Sequence, residues 1–120
     1  MAELTIGSQT ITNCTAVTTL AGEMDEGNFG LLEDEFNKLL ESGVTGLVLD
    51  VSGLDGVTSA GIGALLNMSQ LLEAKGGKLI VTAAKPEILG IVEILGLRET
   101  LSLADTAEQA KKLIASVKCQ

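Results

Sequence analysis

The residues best suited to chemistry in this chain are two adjacent hydroxyls, Thr58 and Ser59, in Val57-Thr58-Ser59-Ala60-Gly61-Ile62-Gly63-Ala64. Their neighbours mark the entry from a loop into a helix. The first amides of a helix lack internal partners, and the helix dipole adds about half a positive charge there. An anion at that point meets a site already suited to it. One hydroxyl is enough to cap the helix, which leaves the other free. Neither closes a capping box, because Gly61 and Ile62 stand three residues on. Gly61 and Gly63 add little bulk, so a large partner is expected to approach closely. The chemistry that fits is a phosphate carried on Ser59, with Thr58 as the alternative acceptor.

The rest of the composition points away from catalysis. The chain has no histidine. That removes Ser-His-Asp and Cys-His nucleophilic systems, the usual zinc sites and the commonest general base. Phe29 and Phe36 are the only aromatic residues, so no platform exists for stacking nucleobases. The net charge of −8 repels nucleic acid and anionic membranes alike. It favours a soluble monomer or weak dimer. No P-loop and no Gly-x-Gly-x-x-Gly is present, so nucleotide chemistry is not expected. Asp25, Asp50 and Asp55 lie near loops and read as solvated acids rather than metal ligands. The reading is a chain that is not an enzyme and holds no cofactor or metal.

Cys14 and Cys119 are far apart and are expected as free thiols in a reducing compartment. The start of the chain has no basic region followed by an apolar one, so no secretory signal is read. The sequons at Asn13 and Asn67 are then chance matches. No apolar run reaches the roughly 18 residues that span a bilayer. A cytoplasmic protein is expected.

These hydroxyls need a scaffold, and 120 residues suffice for one domain, here 1–120. At 12.4 kDa the folded surface should be roughly 6,100 Å². Residues 4–11 and 14–21 are rich in Thr and small apolar residues, with a polar turn near Asn13, and predict a β-hairpin. Residues 28–42 switch period, with Phe29, Leu32, Phe36, Leu39 and Leu40 on one helical face. Asn28 is the expected N-cap and Gly43 the stop. Leu47 to Val51 is a strand buried on both faces, followed by a loop over Ser52 to Gly56. A helix over 59–75 buries Ile62, Leu65, Leu66, Met68, Leu71 and Leu72. Lys78 to Thr82 is a second buried strand.

Pro86 opens a short helix over 86–95, apolar almost all round. It is expected to pack on the sheet, with Ile91, Glu93 or Ile94 as the alternative, exposed partner patch. Leu101 to Leu103 is a short last strand. Thr106 caps a final helix with Ala107, Ala110, Leu113, Ile114 and Val117 inward. The order predicts an α/β domain. Its mixed sheet has four to five strands, an N-terminal antiparallel hairpin followed by β-α units, covered by about four helices.

The segment LVLDVSGLDGVTSAGIGALL resembles the central signature of the STAS family, which includes anti-anti-sigma factors (anti-sigma factor antagonists) and a domain of sulfate transporters. That signature is a hydrophobic strand, a loop, then Asp-Ser-Ser/Thr-Gly-Leu-Gly opening a helix. Gly61-Ile62-Gly63 falls on Gly-Leu-Gly, and Ser59 on the serine phosphorylated in that family. Thr58 stands in place of the aspartate and Ala60 in place of the second Ser or Thr. Ala21-Gly22-Glu23-Met24-Asp25 resembles the family's Gly-Glu-Leu-Asp, which places Asp25 near the acceptor serine.

The resemblance implies a binding module for an anti-sigma factor serine kinase. Asp25, Thr58, Ser59, Ala60, Gly61, Ile62 and Gly63 would form the contact region. The kinase would phosphorylate Ser59 with ATP and break the complex, and a serine phosphatase would reset it. The alternative within the same family is a constitutive scaffold, a subunit of a signalling or membrane-transport complex that is never phosphorylated.

Overall fold

The structure is a computed structural model and describes residues 3–96 and 102–117. Its order is β1 (Leu4–Thr10), β2 (Thr15–Met24), α1 (Phe29–Glu41), β3 (Gly46–Val57), α2 (Ser59–Ala74), β4 (Lys78–Thr82), α3 (Pro86–Ile94), β5 (Ser102–Ala104) and α4 (Ala107–Ile114). The five strands form one sheet in the order β1-β2-β3-β4-β5. β1 is antiparallel to β2, and β2 to β5 run parallel. Leu101, expected in the last strand, lies outside the described residues.

Three helices cover one face and one covers the other. Leu32 and Phe36 of α1, Ile62, Leu65, Met68 and Leu72 of α2, and Ile88 and Val92 of α3 share a core with Leu47, Leu49, Leu79 and Val81 of the sheet. Each such side chain contributes about 1.5–3 kcal/mol by leaving water. Ala110 and Ile114 of α4 pack on Val48 and Ile80 from the other side. Parallel strands that step in one direction through right-handed crossovers place their connecting helices on one face. The accessible surface is 6371 Å², close to the value that the mass predicts.

Several expectations change. The loop over Ser52 to Gly56 is strand, because β3 runs on to Val57 beside β2, which pairs with it as far as Met24. Register shifts between Thr19 and Ala21, and between Gly22 and Glu23, accommodate the extension. Gly53 is there for close approach and not for a turn. A Cβ on it would lie 3.0 Å from the Ala21 Cβ and 3.2 Å from the Leu20 carbonyl oxygen. Gly22 has φ +101° and the Glu3 carbonyl stands where its side chain would be, a conformation that only glycine adopts at low cost.

Asn28 occupies the N-cap of α1 but does not cap it with its side chain. Leu71 and Leu113, expected inward, are exposed. They sit at the margins of their helical stripes, beyond the reach of the sheet. Cys14, expected as a free thiol, is buried and disulfide-bonded. Pairing depends on proximity in space, which spacing along the chain does not reveal. The other cysteine, Cys119, lies outside the described residues.

Candidate functional site

The two hydroxyls have separate fates. Thr58 is the N-cap of α2, in extended conformation, and its Oγ1 accepts from the Gly61 N–H at 3.4 Å. Its carbonyl accepts from the Ile62 N–H at 3.1 Å. Ser59 is the first helical residue and is exposed. Its hydroxyl has no hydrogen-bond partner among the described residues, and the main-chain N–H groups of Ser59 and Ala60 have none either. The first turn of α2 contains no acidic residue. The helix therefore presents a free hydroxyl beside unpaired donors, with no acid in its own first turn to neutralise its dipole.

Asp25 comes to this point through the sheet. Met24 and Val57 are paired at the ends of β2 and β3. The Thr58 N–H donates to the Met24 carbonyl at 3.1 Å. Asp25 and Ser59 each follow that junction by one residue. Asp25 is held in a tight turn: its Oδ1 accepts from the Gly27 N–H, and its N–H donates to the Asn28 Oδ1, both at 2.8 Å. Asn28 Nδ2 donates in turn to the Glu23 carbonyl at 2.8 Å. This explains why Asn28 does not cap α1: its amide is engaged in ordering the Asp25 turn.

The remaining expected residues divide by exposure. Ala60 is half-buried and Gly63 is exposed, with open space where its Cβ would stand. Gly61 and Ile62 face inward. Ile62 is 0% exposed, and a Cβ on Gly61 would lie 2.7 Å from the Val57 Cγ2. These two seat the helix on β3 and present no surface to a partner. Glycine at position 61 serves helix–strand packing, which corrects the reading that it clears space for a visitor.

The three aspartates that sequence placed near loops stand at separate stations. Asp50 Oδ1 accepts from the Ser52 N–H at 3.0 Å, Asp25 orders its own turn, and Asp55 pairs with Lys85. Among the described residues no group of three His, Cys, Asp or Glu side chains could share a metal ion. The Asp55–Lys85 pair joins the end of β3 to the loop before α3. Sequence reasoning missed it, since thirty residues separate the partners. On α3, Ile88 and Val92 are buried while Ile94 is 86% exposed. The helix thus packs on the sheet by one face and leaves an apolar residue outside. No helix among the described residues is long and apolar enough to cross a membrane.

A family model described as the STAS domain matches residues 6–110. The Bordetella bronchiseptica protein BtrV, named as a candidate anti-sigma factor antagonist, is 29% identical over 94 residues, which cover 78% of this chain and 81% of that protein. An anti-sigma factor antagonist from Mycobacterium paratuberculosis superposes with a TM-score of 0.85 at 22% identity, over 95% of this chain and 96% of its own. The anti-sigma factor antagonist SpoIIAA in its unphosphorylated form superposes with a TM-score of 0.80 at 23% identity, over 95% and 99%. The phosphorylated form of SpoIIAA, a Bacillus protein, gives 0.72 at the same identity, over 92% and 99%.

Proposed function

This chain belongs to the STAS domain family, and from that premise we propose that it is an anti-sigma factor antagonist switched by phosphorylation of Ser59. In the unphosphorylated state it binds an anti-sigma factor kinase through Asp25, Thr58, Ser59, Ala60 and Gly63. The observation that carries this reading is the Ser59 hydroxyl, exposed and without a hydrogen-bond partner among the described residues, at the start of α2 where the Asp25 turn also leaves the sheet. Thr58 is the poorer acceptor, since its hydroxyl caps the helix. The names of the relatives favour the same role, and SpoIIAA is known in both phosphorylation states.

The physics of the switch follows from charge. A phosphate on Ser59 adds about −1.5 to −2 charge. The unpaired N–H groups and dipole of α2 offset that charge locally, so the domain stays folded. A partner surface shaped for a neutral hydroxyl next to Asp25 meets a bulky dianion instead. No group on this chain needs to act as a base, because the kinase brings its own along with ATP. A serine phosphatase restores the binding form.

The test is the intact mass of the protein from its own cells, before and after serine-phosphatase treatment, together with capture of purified anti-sigma kinase by Ser59→Ala and Ser59→Asp. One removable phosphate on Ser59, with capture by Ser59→Ala only, is the expected result. No phosphate in any growth condition and equal capture by both variants would assign the domain to constitutive scaffolding.

A further inference from the structure

Helices α1 and α2 lie side by side over the core and leave a groove of about 280 Å³ between them. Phe36 and Met68, both buried, form its floor. Glu33, Asp34 and Asn37 of α1 line one wall, and Asn67 and Leu71 of α2 line the other. The side chains of Glu33, Asp34, Asn37 and Asn67 make no hydrogen bond or ion pair among the described residues. Two carboxylates and two amides thus border one concave surface with their acceptors unused. No lysine or arginine lines it. Lys38, one turn beyond Asp34, makes no ion pair with it.

The lining selects the occupant. The groove beside α4 carries both signs of charge, Asp105 and Lys112, whereas this one carries acids alone over an apolar floor. An anion is repelled from it, and a wholly apolar group would strip water from the carboxylates without replacing it. A cation on an apolar stem satisfies both the rim and the floor. Arginine does so better than lysine. Its guanidinium is a weakly hydrated planar fork of five donors that serves several oxygens at once. The volume falls just below the roughly 300–1,000 Å³ of small-molecule sites, which fits one anchoring side chain of a larger molecule. The surroundings are also those of a protein contact. Ser59, Gly63, Asn67 and Gln70 follow the helical period along α2 and are all exposed, so the groove continues the surface that starts at Ser59. Leu71 at the rim is 44% exposed, and Leu31, one turn before Asp34, is 54% exposed. Arginine set among apolar neighbours is a common anchor of protein interfaces.

We propose that the α1–α2 groove receives an arginine side chain of a protein partner. The Glu33 and Asp34 carboxylates and the side-chain oxygens of Asn37 and Asn67 hold the guanidinium, and the arginine stem lies on Met68 and Leu71. Asn67 stands two turns beyond Ser59, about 12 Å along α2. That distance exceeds the Debye length of about 8 Å at physiological salt, so a phosphate on Ser59 leaves the affinity of the groove nearly unchanged. The groove is a second dock, open in both states of the Ser59 switch.

NMR titration of the full isotope-labelled chain with the peptide acetyl-Leu-Arg-Leu-amide tests this, with citrulline or lysine in place of the arginine as controls. Saturable shifts are expected at the Asn37 and Asn67 side-chain amides and at the Leu71 main chain, weakening as sodium chloride rises. The citrulline peptide keeps the shape without the charge and should give none of them. The lysine peptide should bind more weakly than the arginine one. Glu33→Gln combined with Asp34→Asn should weaken the arginine peptide on the order of tenfold. Asn67→Lys sets a competing cation at an exposed helical position and should abolish binding, with the rest of the spectrum as in the parent. Ser59→Asp should bind like the parent, so failure of the phosphorylation switch would leave these shifts in place. The proposal is overturned by no shift at millimolar peptide, by shifts spread over all the exposed acids, by equal binding of the citrulline peptide, by indifference to both groove variants or by loss of binding in Ser59→Asp.

Discussion

The main-chain N–H of Thr58 donates to the carbonyl of Met24 at 3.1 Å, and this bond joins the two halves of the candidate site. It closes the β2–β3 ladder where both strands end. The Asp25 turn leaves on one side of it and helix α2 on the other. Ser59 and the Asp25 turn thereby leave the same end of the β2–β3 ladder, set there by the sheet itself rather than by a flexible loop.

Gly61 and Gly63 should respond to alanine with opposite signs. A Cβ at position 61 would meet the Val57 Cγ2 at 2.7 Å and the Met24 Cε at 3.2 Å. Relieving that overlap costs about 1–3 kcal/mol. At position 63 a Cβ meets nothing within 4 Å, and alanine should stabilise the helix by about 0.5–1 kcal/mol. Thermal melts of the two variants check the pair.

Thr58→Ala should cost about 0.5–1 kcal/mol, the low end for a lost cap, because the bond to Gly61 is long at 3.4 Å. Thr58→Asp should recover this and add a favourable charge at a helix start that has no acid in its first turn. Urea denaturation of both variants reads the effect. Equal stability of Thr58→Ala and the parent would mean that Thr58 does not cap.

Ser59→Asp should separate binding from stability. A carboxylate at the first position of α2 is favourable by about 0.3–1 kcal/mol, so the melting temperature should hold or rise. Binding to the anti-sigma kinase should be lost in the same variant. Loss of both together would point to unfolding instead of a switch.

Thr82→Val should stabilise the protein. The Thr82 hydroxyl is fully buried at the end of β4 and has no hydrogen-bond partner among the described residues. An unsatisfied buried hydroxyl costs about 1–3 kcal/mol, and a methyl of similar size removes that cost. A lower melting temperature in Thr82→Val would show that the hydroxyl is used.

The Asp55–Lys85 pair should couple weakly. Its side chains are 64% and 38% exposed respectively. A double-mutant cycle with Asp55→Asn and Lys85→Met should give about 0.2–1 kcal/mol. High salt should reduce that coupling. A coupling well above this range would identify the pair as a structural clasp between β3 and α3.

Local patterns in the sequence were enough to determine which segments are helix and which are buried strand. Helical periodicity marked α1 and α2, apolar runs marked β3 and β4, and the hydroxyl pair before Gly61 marked the start of α2. These signals are local because a helix cap or an amphipathic face involves residues within a turn or two of one another. Tertiary structure decided what depends on distant partners. Ser52 to Gly56 has the composition of a turn, yet β2 holds it as strand, with Gly53 pressed against Ala21. The division of labour between Thr58 as cap and Ser59 as free hydroxyl required the orientation of both side chains. The packing of Gly61 against Val57, the Asp55–Lys85 pair and the bonded state of Cys14 likewise arise only when remote segments meet. Spacing along a chain encodes backbone conformation, whereas contact between remote residues is a property of the packed core.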